Sequence, residues 1–258
     1  MSETFAQFWK VEFQIGQPKL HPKDRQWMEC YWPAPLQYPI CERWDEYIAG
    51  DRFVNSNDKA LHLSLIPTPY LGNLRDSKVL LFLANPGFAD TEYYFEEQPG
   101  VREKLINNLY QEPNIDFPFV FLDPRLAWSS GFQWWQRRLR PLLDVFISRG
   151  IRPIQAMELL SHRIAAVELI PYHSRDGSEL KGVVKEPRMP SVSEAREFLA
   201  RSSHNREKLT VLLRSHQNWT HQGCATVSEH YHHGLKQQTI SLDPKYETGE
   251  KILAWLER

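Results

Sequence analysis

The residues best placed to do chemistry in this chain stand in four short polar turns, each at the end of an apolar run. They are Asn85-Pro86-Gly87-Phe88, Pro171-Tyr172-His173-Ser174, Arg214-Ser215-His216 and Ser241-Leu242-Asp243-Pro244. Together they offer an amide, aromatic rings, imidazoles, hydroxyls and a guanidinium, a set that can hydrogen-bond and stack on a planar polar ligand. The run before the first turn, 79–84 (VLLFLA), lacks polar alternation and reads as a strand buried on both faces, the usual state of a parallel strand. Open α/β sheets bind ligands beyond the carboxyl ends of their strands, so the four turns would converge on one crevice. Asn, Pro and Gly also form turns for purely local reasons. Two further features point to a shared pocket: a second apolar strand, 164–170, ends in an equally polar turn, and a proline-rich aromatic loop, 66–73 (IPTPYLGN), leads straight into the first strand.

The elements that must position these turns alternate along the chain. Strands are expected at 79–84, 164–170, 209–213 and 238–242. Helical periodicity covers 100–111, 132–150 with an interruption at Pro141, and 154–163. A capping box, Ser191-Val192-Ser193-Glu194, opens a further helix to 203, and 248–258 closes the chain. This alternation predicts an α/β fold: a mostly parallel central sheet of about four strands with helices on both faces. Residues 1–60, rich in Trp, Tyr and Pro, read as an N-terminal extension packed on an α/β domain of 61–258. Its aromatic rings could alternatively form a binding surface for a protein partner, but large aromatics in irregular segments more often pack.

The 258 residues carry 31 Lys+Arg against 32 Asp+Glu, so there is no global attraction to polyanions and any nucleic-acid footprint must be local. Trp134-Trp135-Gln136-Arg137-Arg138-Leu139-Arg140 supplies the one such candidate. Arg137, Arg138 and Arg140 would contact a nucleic-acid backbone, although the same segment also reads as the start of an amphipathic helix with those arginines facing solvent. Three scattered cysteines and the lack of a basic-then-apolar leader or a long apolar run predict a soluble cytoplasmic protein without a membrane partner. Dinucleotide, P-loop, esterase and zincin motifs are absent. The histidines at 216, 221, 230, 232 and 233, with Cys224, fit no recognised zinc spacing; no metal and no cofactor is expected, and a metal-assisted hydrolase stays a minority reading.

A core strand ending in Asn85-Pro86-Gly87 resembles the first motif of the mismatch-specific uracil-DNA glycosylases, within the uracil-DNA glycosylase-like superfamily. The resemblance covers 66–90 and implies a small parallel sheet with helices on both sides. It further implies that Asn85 positions the water that attacks the sugar and that Phe88 stacks on an extruded base. Gly87, Tyr172, His173, Ser174 and Arg214 would complete the substrate-binding set. A neutral Asn is a poor base, but it suffices where the sugar departs as an oxocarbenium-like cation and positioning supplies the catalysis. The family's second motif, His-Pro-Ser or Asn-Pro-Ser after the last strand, has Ser241-Leu242-Asp243-Pro244-Lys245-Tyr246 as its nearest counterpart, and Tyr172-His173-Ser174 stand where a base-reading Asn is expected. The expected function is nucleobase or nucleotide recognition, with hydrolysis of an N-glycosidic bond in uracil-containing or damaged DNA. The alternative is a non-catalytic nucleotide- or nucleic-acid-binding module of the same fold that acts with a protein partner.

Overall fold

Unbroken apolar runs become the middle of the molecule. In the computed structural model, which describes residues 2–14, 16–31, 41–58, 60–175, 182–185, 187–213, 216–219 and 242–258, the helices α1 (Ser2–Phe8), α2 (Pro22–Tyr31) and α3 (Trp44–Ile48) precede strands β1 (Tyr70–Leu71) and β2 (Val79–Leu83). Helices α4 (Glu92–Glu97), α5 (Val101–Leu109), α6 (Ser130–Ser148) and α7 (Pro153–Arg163) lead to β3 (Ile164–Glu168). Then follow α8 (Pro190–Ser203), β4 (Leu209–Leu212), α9 (His216–Trp219) and α10 (Glu247–Leu256). The strand order is β1-β3-β2-β4. β2 lies between its two parallel neighbours, with Val79 opposite Ile164 on one side and Leu209 on the other. Every residue of β2, β3 and β4 is buried, and because successive side chains point to opposite faces, both faces of the sheet are covered. The α/β class and the mostly parallel four-stranded sheet expected from the sequence are therefore present.

One strand of the described sheet was not expected from the sequence. Tyr70 and Leu71 pair antiparallel with Val167 and Ala166, so the segment read as a loop at 66–73 holds an edge strand. Prolines at 67 and 69 cannot donate to a ladder, which confines the pairing to the sheet edge and to two residues, too few to show any alternation. Pro69 still contributes its carbonyl, which accepts from Glu168 N at 2.9 Å. Of the strand expected at 238–242, only Leu242 lies within the described residues, and it is buried.

Two helix expectations are also corrected. α6 runs through Pro141 without a break. The ring removes one backbone bond, but the freed carbonyl belongs to the exposed Arg137 and can be hydrated, while Trp135, Leu139, Leu142, Leu143 and Phe146 form one continuous buried face. α8 starts at Pro190 rather than from a local capping box. Asp24 on α2 accepts from Ser191 N at 2.9 Å and satisfies the helix N-terminus from a distance.

Phe5, Trp9, Trp27 and Met28 belong to the same buried cluster as the sheet, and the Phe5 ring stacks on Phe198 of α8 at 5.0 Å. Residues 32–40, with three of the five prolines of the first 60 positions, lie outside the described residues. Among the described residues no helix is long and apolar enough to cross a membrane.

Candidate functional site

Beyond Leu83 the chain leaves β2, and the polar turn 85–88 is set against the turn that follows β3. Asn85 Nδ2 donates to the carbonyl oxygen of Ser174 at 3.3 Å and to its Oγ at 3.2 Å. A carbonyl only accepts, so the amide nitrogen must face Ser174, and these bonds leave Asn85 Oδ1 as the acceptor turned elsewhere. Ser174 is fully buried, which makes the tether rigid.

His173 fixes the next part of the turn. Its Nδ1 lies 3.1 Å from Gly87 O, and its Nε2 lies 3.2 Å from Thr68 Oγ1 and 3.1 Å from Ile66 O. Burial pushes its pKa down to about 4 although the two carbonyls favour the charged ring. The neutral ring carries one N–H, so it donates to one of the two carbonyls, to Gly87 O from Nδ1 or to Ile66 O from Nε2. Gly87 itself has φ +63, a left-handed conformation that suits glycine. His173 thus anchors the turn from behind.

Phe88 is held as a panel. The His62 ring lies 3.5 Å away and nearly parallel, and the Arg175 guanidinium lies 5.4 Å from its centre. Burial pushes the His62 pKa down, against the pull of the buried Asp58 carboxylate 3.2 Å from its Nε2. Arg175 is itself tied to Asp90 at 2.7 Å, and Asp90 accepts from Tyr47 OH at 2.6 Å. Burial pushes the Asp90 carboxyl up, but the bonds from Tyr47 and Arg175 outweigh it and hold the group below its ordinary range.

These groups border a cavity of about 360 Å³ at the carboxyl end of the parallel strands, the size of a small-ligand pocket. Asn85, Gly87, Phe88, His173 and Ser174 line it, together with Trp134 and Trp135 of the flagged aromatic and arginine segment and with residues that the sequence reading passed over: Phe121, Glu92, Glu168, Ser130 and Arg175. Glu168 ends the apolar run of β3, and a carboxylate in that place was the readable signal. Glu92 sits in an acidic stretch that looks like a solvated helix start, and Arg175 directly follows the second polar turn.

Four sequence-derived candidates fall elsewhere. Tyr172 does not reach the cavity: its ring is buried, packs 6.4 Å from Trp9, and gives its hydroxyl to Asp24 Oδ2 at 2.6 Å. The hydroxyl is satisfied on the α1–α2 side of the molecule, so Tyr172 cannot stack on a ligand. Arg137 is exposed, and Arg140 pairs with Asp144 at 2.6 Å. Arg138 stacks 3.6 Å over Trp134, and so backs the cavity wall rather than lining it. Of the segment flagged for its arginines, it is the tryptophans that enter the site. Arg214, Ser215 and Ser241 lie outside the described residues, as do His221, Cys224, His230, His232 and His233.

The wall depends on a close approach at Gly131, where a Cβ would stand 2.4 Å from the Phe121 ring. Gly131→Ala is expected to cost about 1–3 kcal/mol of stability and to push Phe121 into the cavity. Thermal denaturation reads the first effect and loss of ligand affinity the second.

The arrangement can clasp a flat heteroaromatic ring between Phe88, Phe121 and the two tryptophans, and can direct an amide oxygen at a water or polar edge beside it. Compared with protein-family models, curated proteins and solved structures, the chain matches none.

Proposed function

We propose that the cavity receives a nucleobase and that the protein hydrolyses the N-glycosidic bond of that base, with a fold of the uracil-DNA glycosylase-like kind. The observation that carries this reading is Asn85: it follows the central parallel strand and is oriented by Ser174, with its Oδ1 turned away from that tether. In the proposed reaction the C1′–N bond breaks with its electron pair going to the base. A water hydrogen-bonded to Asn85 Oδ1 adds its oxygen to C1′ and releases a proton to solvent. Little nucleophilic push is required when the sugar develops oxocarbenium character, so orientation by a neutral amide is enough. Extruding a base from a duplex costs a few kcal/mol, and stacking on the aromatic walls, at roughly 1–3 kcal/mol per base, offsets much of it. A nucleic acid or nucleotide is the partner this implies.

Stacking of a base against Trp134 and Trp135 should quench their fluorescence. Titration with nucleosides and short oligonucleotides is expected to give saturable quenching, and Phe88→Ala should weaken the affinity by roughly 1–3 kcal/mol. No quenching by any of these ligands would remove the reading. A non-catalytic module of the same fold is favoured by one feature, the segment after Leu242, where Asp243 pairs with Lys245 at 2.9 Å in place of the family's second motif. Base binding without base release selects that reading.

A further inference from the structure

Charge is unevenly placed around the cavity. Two carboxyls line it, Glu92 at the start of α4 and Glu168 at the end of β3. Glu92 Oε1 accepts from Ser130 Oγ at 2.5 Å, and among the described residues no cationic side chain pairs with it. Ser130 opens α6, whose positive end favours the anion. Burial pushes the Glu92 pKa upward, so its carboxylate gains from a positive charge that enters beside it. Glu168 is buried, opposite Leu83 at the end of β2. Against these carboxyls the described lining offers one cationic side chain, Arg175, and its guanidinium is already matched by Asp90 at 2.7 Å. His173 is neutral, since burial pushes its pKa down to about 4.

The walls suit a positive charge as well. Phe88, Phe121 and Trp135 present aromatic rings to the cavity, as does Trp134, which already holds the Arg138 guanidinium 3.6 Å from its centre. The faces of such rings are negative and attract a cation, most strongly where water is excluded. A flat ring with a full positive charge gains from both the aromatic walls and the carboxyls. It does so whichever of its edges faces Glu92, because Coulomb attraction needs no particular donor there. An uncharged base gains the stacking alone. Bond cleavage favours the same ligand. A neutral base takes the electron pair of the C1′–N bond and leaves as an anion, in a cavity whose carboxyls oppose that charge. A base alkylated on a ring nitrogen is cationic while bonded, takes the same pair and leaves neutral, while water adds to C1′ and its proton goes to solvent. We propose that the cavity selects positively charged, ring-alkylated bases over their neutral isomers, with Glu92 and Glu168 as the specificity-determining carboxyls. This rests on the base-binding reading of the cavity, and it moves the preferred occupant from uracil to a cationic alkylated base.

The test is calorimetric titration of the full chain with two pairs of methylated isomers, 1-methyladenosine against N6-methyladenosine and 3-methylcytidine against 5-methylcytidine. Within each pair the methyl content is the same, and at neutral pH only the first member is a cation. That member is expected to bind wild type at least about tenfold more tightly. Glu92→Gln keeps an acceptor for Ser130 but removes the charge, and should cut the preference at least about threefold. Combining it with Glu168→Gln should abolish the preference, whereas Glu92→Asp, which retains the charge, should keep most of it. Equal affinities within both pairs, or tighter binding of the neutral members, would overturn the selection and leave the base-binding reading standing. Binding of none of the four would overturn both. A preference that persists in the folded double variant would assign it to the aromatic walls and overturn the role of the carboxyls. Should the double variant not fold, the single Gln variants are read instead, and a preference unchanged in both overturns that role.

Discussion

Asp24→Ala should be the most destabilising single change among those considered, lowering stability by about 2–5 kcal/mol and the melting temperature by roughly 10 °C. Asp24 is fully buried, and its two oxygens serve different parts of the fold. Oδ1 caps α8 through Ser191 N at 2.9 Å, and Oδ2 accepts from Tyr172 OH at 2.6 Å. Alanine leaves two buried donors unpaired, one at a helix N-terminus and one in the segment that also carries His173 and Ser174. The effect has a pH signature. Burial raises the Asp24 pKa from 3.8 to about 6, against the bonds from Tyr172 and Ser191. The folded state therefore holds this proton more tightly than the unfolded chain, and the contribution of the group is fully present below 3.8 and declines as pH rises through about 6. Chemical denaturation of both proteins should accordingly give a larger stability difference near pH 5 than near pH 8; a difference that grows with pH would contradict the assignment.

Asn85→Ala is expected to have the largest effect on function, a loss of about 10²–10³-fold in base release. The side chain is partly exposed and, among the described residues, bonds to Ser174 alone, so folding should be nearly unaffected, within about 1 kcal/mol. Asn85→Asp is nearly isosteric but cannot donate to the Ser174 carbonyl. It should turn the side chain out of position and lose activity comparably. Single-turnover rates on a common substrate, with circular dichroism melts alongside, separate a lost function from a lost fold.

Much of this architecture can be read from residue order alone. β2 announces itself as an unbroken apolar run, and β3 and β4 as runs with a single polar residue each, because strands covered on both faces need no polar alternation. Asn85 and Phe88 are legible as the turn that such a strand must deliver to the ligand side of a sheet. What escapes is decided by pairing over long distances. β1 is two residues beside prolines and exists only because β3 offers an edge. The cap on α8 comes from Asp24, 167 positions earlier, so the nearby Ser-Val-Ser-Glu pattern gave the wrong cap. Tyr172 follows the same rule: its hydroxyl finds Asp24, and that bond draws the ring away from the cavity. Trp134 and Trp135 sit where helical rotation turns them inward, which leaves Arg137 and Arg140 to the outer face of α6. Glu92 becomes visible as a site residue only when the start of α6 closes over it.

The most direct measurement is chromatographic detection of free base, with matching abasic sites, after incubation with oligonucleotides carrying a panel of amino-bearing, alkylated and deaminated bases. Wild-type protein is predicted to release at least one of these bases, and Asn85→Ala, though folded, to release it at least about a hundredfold more slowly. No release from any member of the panel by folded wild type, or equal release by Asn85→Ala, would contradict a hydrolytic site built around Asn85.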